Sequence, residues 1–99
     1  MKVIFLPSAK AEIEKIGDYI AIESARKAVS FIAELRQRGE SLRDIPERFP
    51  LMPRYETRGV RRLVHGNYLI FYAIRAETVF ILHVLHGRMD YERILFPDS

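Results

Sequence analysis

The last apolar run of the chain ends in Leu85-His86-Gly87-Arg88, which sets an imidazole and a guanidinium beside each other where a strand leaves its sheet. Histidine, with an ordinary pKa near 6.5, can act as base or acid at neutral pH. Arginine keeps its charge at any working pH and offers a planar fork to carboxylate or phosphate. Basic residues also concentrate between Arg43 and Arg62. Six arginines (43, 48, 54, 58, 61 and 62) face only Asp44, Glu47 and Glu56 there, so this window carries the excess in a chain of net charge +3. A solvated surface is the plainest explanation. The sharper one is an anion-binding face for nucleic acid or an acidic protein, and the modest net charge favours the protein. Arg61 and Arg62 fall in a strand pattern, so they point to opposite faces of the sheet, and only one of them can face a groove. Cysteine is absent, which excludes disulfide and thiolate chemistry and makes zinc a poor candidate. Neither a metal nor a cofactor is expected.

The elements that position these groups follow from periodicity. Tyr68–Ile74 and Val79–Arg88 are β-branched and aromatic runs on either side of a short break, which reads as an antiparallel hairpin. Val60–Val64 reads as a strand joined to it through Gly66-Asn67. Residues 2–6 form a short first strand. Ser8 is a natural N-cap for a helix running to about Ile22, with Ala9, Ile13, Ile16 and Ile20 on one stripe. Ser24 caps a second helix, whose seam is Ala25, Ala28, Ile32, Leu35, Gly39, Leu42 and Ile45. Gly39 on that seam implies close approach to another element, since glycine costs about 1 kcal/mol in a helix. Pro46, Pro50 and Pro53 punctuate an irregular stretch to Gly59, and Asp90 caps a last turn from Tyr91 to Leu95.

The order strand-helix-helix-strand-strand-strand predicts an α+β fold, with a two-helix hairpin packed on one face of a small antiparallel sheet. The expected core includes Ile13, Ile16, Ile20, Ile32, Leu35, Ile70 and Tyr72. One face of the central strand carries Tyr68, Ile70, Tyr72 and Ile74, the other Leu69, Phe71 and Ala73. Both are apolar, although helices cover only one. The second face is therefore a candidate partner-binding groove, built from Leu69 and Phe71 and rimmed by Arg61, Arg62 and Arg88. With 99 residues the chain is expected to form one domain over 1–99. No run is long enough for a membrane span, and no room is left for a signal peptide, so a cytoplasmic protein is expected.

Several strings, in this order, resemble the ParE/RelE superfamily of toxins from type II toxin–antitoxin modules, and the ParE branch most closely. They are Ala11–Ile20, Phe31–Leu35, Gly59-Val60-Arg61-Arg62-Leu63, Tyr68–Tyr72 and Ile81–Asp90. The resemblance spans nearly the whole chain. It implies a toxin neutralised by an antitoxin that wraps it with an extended or helical tail. For the ParE branch it implies inhibition of DNA gyrase by binding, and for the RelE branch cleavage of mRNA on the ribosome.

Cleavage through the ribose 2′-hydroxyl needs a base, an acid and cations for the phosphorane. As a nuclease the chain would use Arg61, His86, Arg88 and Tyr91. The lysines typical of the ribosome-dependent branch are missing before Gly59, and His86 reads more simply as a strand-end residue bonded to backbone. His83 reads as a core or groove residue and His65 as a turn residue. The favoured expectation is a non-enzymatic gyrase inhibitor. It would be bound by a ribbon-helix-helix antitoxin with an acidic tail, and would touch DNA only through that partner. A ribosome-dependent endoribonuclease and a non-toxic antitoxin-binding relic remain the alternatives.

Overall fold

The computed structural model describes residues 1–98. Strand β1 (Lys2–Phe5) leads into helix α1 (Pro7–Ala21), then α2 (Ala25–Glu40), β2 (Val60–His65), β3 (Tyr68–Arg75), β4 (Thr78–His86) and the short α3 (Tyr91–Leu95). The expected α+β order is present. The sheet is mixed rather than wholly antiparallel. Its strand order is β1-β4-β3-β2, and β1 runs parallel to β4 while the other pairs are antiparallel. The αα-hairpin returns the chain to the end of the sheet from which it set out, which permits this parallel crossover.

Helix α1 does not use Ser8 as its cap. Leu6 holds the cap position and Pro7 the first helical position, where a missing N–H costs nothing. Ser24 does cap α2, its hydroxyl accepting the Lys27 N–H at 3.2 Å. Two glycines bring the layers together. A Cβ on Gly39 would lie 2.6 Å from the Phe5 ring, so α2 approaches β1 where only glycine fits. A Cβ on Gly17 would overlap the end of Ile32, which marks the α1–α2 contact. The seam of α2 passes after Glu40 into a 3-10 turn, Ser41–Arg43, that still buries Leu42.

Helices and sheet enclose one core built on Ile13, Ile16, Leu35, Leu42, Leu63, Ile70, Tyr72, Val79, Ile81 and Val84, with Ile20 and Ile32 partly buried at its margin. A second, smaller core lies on the opposite face: Met52, Val60, Leu69, Phe71, Leu85 and Phe96. The two-residue turn between β3 and β4 places Ala76 and Glu77 at φ of 50° and 58°, the left-handed conformation that matches strand twist.

A bulge interrupts β4. Phe71 pairs with His83 and Tyr72 with Ile81, so Leu82 is the extra residue. The extra residue allows Ile81 and Val84, three apart, both to enter the helix-side core. It also frees backbone groups, which α1 satisfies. The Ser8 hydroxyl donates to the Leu82 carbonyl at 2.6 Å, and the Glu12 carboxylate accepts the Val84 N–H at 2.9 Å. Ser8 and Glu12 are one helical turn apart on the same face.

Candidate partner-binding surface

The irregular segment from Pro46 to Gly59 has little secondary structure, and arginines hold it in place. Arg61 shares a face with its cross-strand neighbour Tyr72, on the helix side. Its guanidinium donates to the carbonyls of Glu47 and Phe49, at 3.2 and 2.7 Å. The Tyr72 hydroxyl donates to the Pro46 carbonyl at 2.7 Å, and burial pushes its pKa up from the ordinary 10.0 against the lowering effect of Arg61. Arg48 lies over the Phe49 ring. Arg43 pairs with Glu40. The basic window is thus largely consumed by internal contacts, and Arg61 is one of the residues that pin the loop.

Arg62 points the other way, sharing the second face with Phe71. That face is not open. The chain's own C-terminal segment lies across it and buries Phe71 completely, at 0% exposure, and Leu69 almost so. Phe96 stacks on Tyr55 with centroids 4.2 Å apart, and Tyr91 packs on Phe71 at 5.3 Å. Ion pairs Arg54–Glu92 at 2.6 Å and Arg58–Asp98 at 3.3 Å fasten the segment, and Arg62 donates to the Tyr91 hydroxyl at 3.3 Å. The expected groove on Leu69 and Phe71 is therefore filled from within. The polar spacing of Glu92 and Asp98 concealed a covering segment whose inner side is Tyr91, Leu95 and Phe96.

The four residues considered for RNA cleavage do not converge. Arg61 aligns with Tyr72, and His86 with Tyr68. Four residues of strand, about 14 Å, separate the two positions, which also lie on opposite sides of β3. Tyr91 belongs to the opposite face. His86 Nδ1 accepts the Arg88 N–H at 3.0 Å, and its ring meets Tyr68 edge-on at 5.1 Å. It is the strand-end histidine anticipated above. Arg88 is exposed. His83 pairs through Nδ1 with Glu12 at 2.8 Å, the acidic partner that also holds the bulge. His65 ends β2 against Phe31 and Glu34. His86 and Tyr68 also border a cleft with Tyr19, Ile20 and Phe31 at the tip of the helix hairpin. Burial first, and the neighbouring Tyr19 second, raise the Tyr68 pKa there.

Residues 3–91 match the profile of the family described as "ParE toxin of type II toxin-antitoxin system, parDE". The chain belongs to the ParE toxin family. Among solved structures, a chain of the chromosomal ParDE system from P. aeruginosa is similar in fold, with a TM-score of 0.74 at 19% identity over 87% of this chain and 95% of that one. A chain of the RelBE2 toxin–antitoxin complex from Mycobacterium tuberculosis is similar with a TM-score of 0.62 at 26% identity, over 86% and 95%. No curated protein sequence matches significantly. The ParE/RelE likeness read from the residues is borne out. Among the described residues, no helix is long and apolar enough to cross a membrane.

Nothing in the type or spacing of Glu12 and Gly17 marks them, and the type of Ser8 suggests an N-cap rather than the tie to the Leu82 carbonyl that it makes. Glu12 and Ser8 become significant only against a bulge in a strand some seventy residues away, and no local pattern reports that pairing.

Proposed function

We propose that this ParE-family toxin stops growth by binding DNA gyrase rather than by cleaving RNA. A cognate ribbon-helix-helix antitoxin with an acidic tail would hold it inactive in the cytoplasm. The observation that carries this reading is the dispersal of Arg61, His86, Arg88 and Tyr91 over two faces and about 14 Å of strand. Transition-state stabilisation of a phosphorane needs its donors and proton carriers around one phosphate, and this arrangement leaves inhibition by binding as the better supported mode.

Arg88 has a binding role in this reading. It stands exposed beyond the last strand, and no carboxylate lies within 4 Å of it among the described residues. Its fork can engage a carboxylate or phosphate of the target without exchanging a proton.

The test is direct. Purified toxin should slow gyrase supercoiling or trap cleaved DNA, and leave mRNA intact on translating ribosomes. Arg88→Lys should weaken the effect by losing the planar fork, and Arg88→Ala should weaken it further. Codon-specific cuts that vanish in Arg88→Ala or His86→Ala would establish the endoribonuclease instead. That second reading is kept because of the likeness to a RelBE2 complex at 26% identity. Folded protein with no effect on growth, topology or mRNA would leave only antitoxin binding.

A further inference from the structure

We infer that the cleft at the tip of the helix hairpin is an aromatic cage that takes a basic side chain, lysine or arginine, of the protein the toxin inhibits. The partner's identity rests on the toxin reading, and the chemistry rests on the cleft alone. Tyr19 lines it from the last turn of α1 and is 71% exposed. Phe31 of α2, Tyr68 at the start of β3 and His86 at the end of β4 complete it, around a volume of about 610 Å³. The rings make a corner. Phe31 and Tyr68 meet at 56° with centroids 5.5 Å apart, and Tyr68 and His86 at 81° and 5.1 Å. Tyr19 stands close enough to add to the rise that burial gives the Tyr68 pKa. A flat base stacks on a ring face parallel to it. Rings set steeply to one another instead turn several faces on one compact charge.

An aromatic face carries partial negative charge. Elsewhere the chain meets such faces with its own arginines: Arg38 and Arg48 lie over Phe49, and Arg58 over Phe96. Among the described residues, no lysine or arginine lies over Tyr19, Phe31 or Tyr68. The formal charge beside the cleft has the matching sign. Tyr19 and Ile20 are shared with an adjoining hollow that holds Glu23, and the two linings together contain that one carboxylate and no lysine or arginine. Glu23 has no cation within 4 Å among the described residues. His86 adds no positive charge, because its Nδ1 accepts the Arg88 N–H and so carries no proton. Lys15, one turn before Tyr19, lines a neighbouring groove with Glu12, where the two charges cancel. Lys27, one turn before Phe31, lines neither hollow. Ile22, 82% exposed beside Glu23, offers apolar surface to the methylene stem of a lysine or arginine. The acidic tail proposed for the antitoxin has the wrong sign for this cleft, so the target supplies the cation.

The experiment uses the full-length toxin in two arms. In the first, aromatic proton shifts follow titration with acetyl-Gly-Arg-Gly-amide and acetyl-Gly-Lys-Gly-amide. Counterparts carrying citrulline or acetyl-lysine keep the shape and lose the charge. The charged peptides should shift Tyr19, Phe31 and Tyr68 together and bind at least about threefold tighter than the neutral ones. Tyr19→Leu, which keeps apolar bulk without an aromatic face, and Glu23→Gln should each weaken them by about threefold. Val29→Ser, on α2 and 71% exposed, should bind as the unaltered chain does. In the second arm, Tyr19→Leu combined with Glu23→Gln should raise the concentration that halves gyrase supercoiling by about tenfold, the product of the two losses. Affinity for the product of the reading frame adjoining the toxin gene should be unchanged by calorimetry. Circular dichroism and thermal midpoints confirm that each variant is folded. Equal binding of charged and neutral peptides, or tighter binding of adenosine than of either charged peptide, would overturn the cage. Loss of peptide binding with undiminished gyrase inhibition would overturn the assignment to the target. Loss of antitoxin affinity in the double variant would give the cleft to the antitoxin, and self-association abolished by it would give the cleft to a second copy. Either result overturns the assignment. No gyrase inhibition by the unaltered chain would overturn the gyrase reading and the partner with it, while the peptide arm still decides the chemistry of the cleft.

Discussion

Tyr72 is fully buried, yet its hydroxyl reaches the Pro46 carbonyl and so ties the central strand to the start of the long loop. Burial raises its pKa above the ordinary 10.0. The unfolded chain therefore loses this proton first. The stability it confers is whole below pH 10 and declines as pH climbs through the raised value of the folded state. Urea melts from pH 8 to 11 should show that decline, and Tyr72→Phe should flatten it while costing about 1 kcal/mol at neutral pH for the lost hydrogen bond. Gly39 gives a second residue-scale outcome. Alanine there gains about 1 kcal/mol of helix propensity but drives a methyl into the Phe5 ring. Gly39→Ala should be net destabilising in chemical denaturation, and Phe5→Leu should relieve part of the loss. A neutral or stabilising Gly39→Ala would show that α2 and β1 can part without cost.

At the scale of elements, the C-terminal segment replaces the groove expected on the second face. Its hold is apolar first. Phe96 is 3% exposed, whereas the Arg54–Glu92 pair sits largely in solvent on its arginine side. Phe96→Ala should cost about 3 kcal/mol and increase binding of a hydrophobic dye as Phe71 and Leu69 open. Arg54→Ala should cost less than about 1 kcal/mol. Equal costs would mean that charge, not packing, fastens the segment. The β3–β4 turn also leaves room for improvement, because Ala76 and Glu77 occupy left-handed backbone that disfavours both. Exchanging them for Asn-Gly should raise stability by about 1 kcal/mol in thermal melts without altering the hairpin.

On the scale of the whole molecule, the fold separates three kinds of surface. The helix-side core and the C-terminal segment account for most of the apolar residues, the arginines of the loop serve as internal ties, and the aromatic cleft at the tip of the helix hairpin stays open. Loss of function in Arg61 variants should thus follow loss of folding. Arg61→Ala should lower the melting temperature and leave residual toxicity in proportion to the folded fraction. His86→Ala should keep the thermal midpoint within a few degrees and most of the toxicity of the uncomplexed chain. A folded, non-toxic His86→Ala protein would count heavily for acid–base chemistry.

Local pattern by itself determined the element order, the helix seams with Gly39 among them, the Ser24 cap, the two apolar faces of the central strand, and the opposed directions of Arg61 and Arg62. Each depends on a period of 2 or 3.6 or on one residue's own stereochemistry, which a neighbouring segment does not change. The family likeness was legible for the same reason, since its strings lie mostly within those elements. Tertiary structure alone decided that β1 enters the sheet parallel, that Leu82 bulges and lets Ser8 and Glu12 serve β4, and that Arg61 rather than Arg62 pins the loop. It also decided that the chain's own tail covers Phe71. These are contacts between segments far apart in the chain, selected by which surfaces remain unburied after the local elements have formed, and a sequence pattern carries no record of that competition.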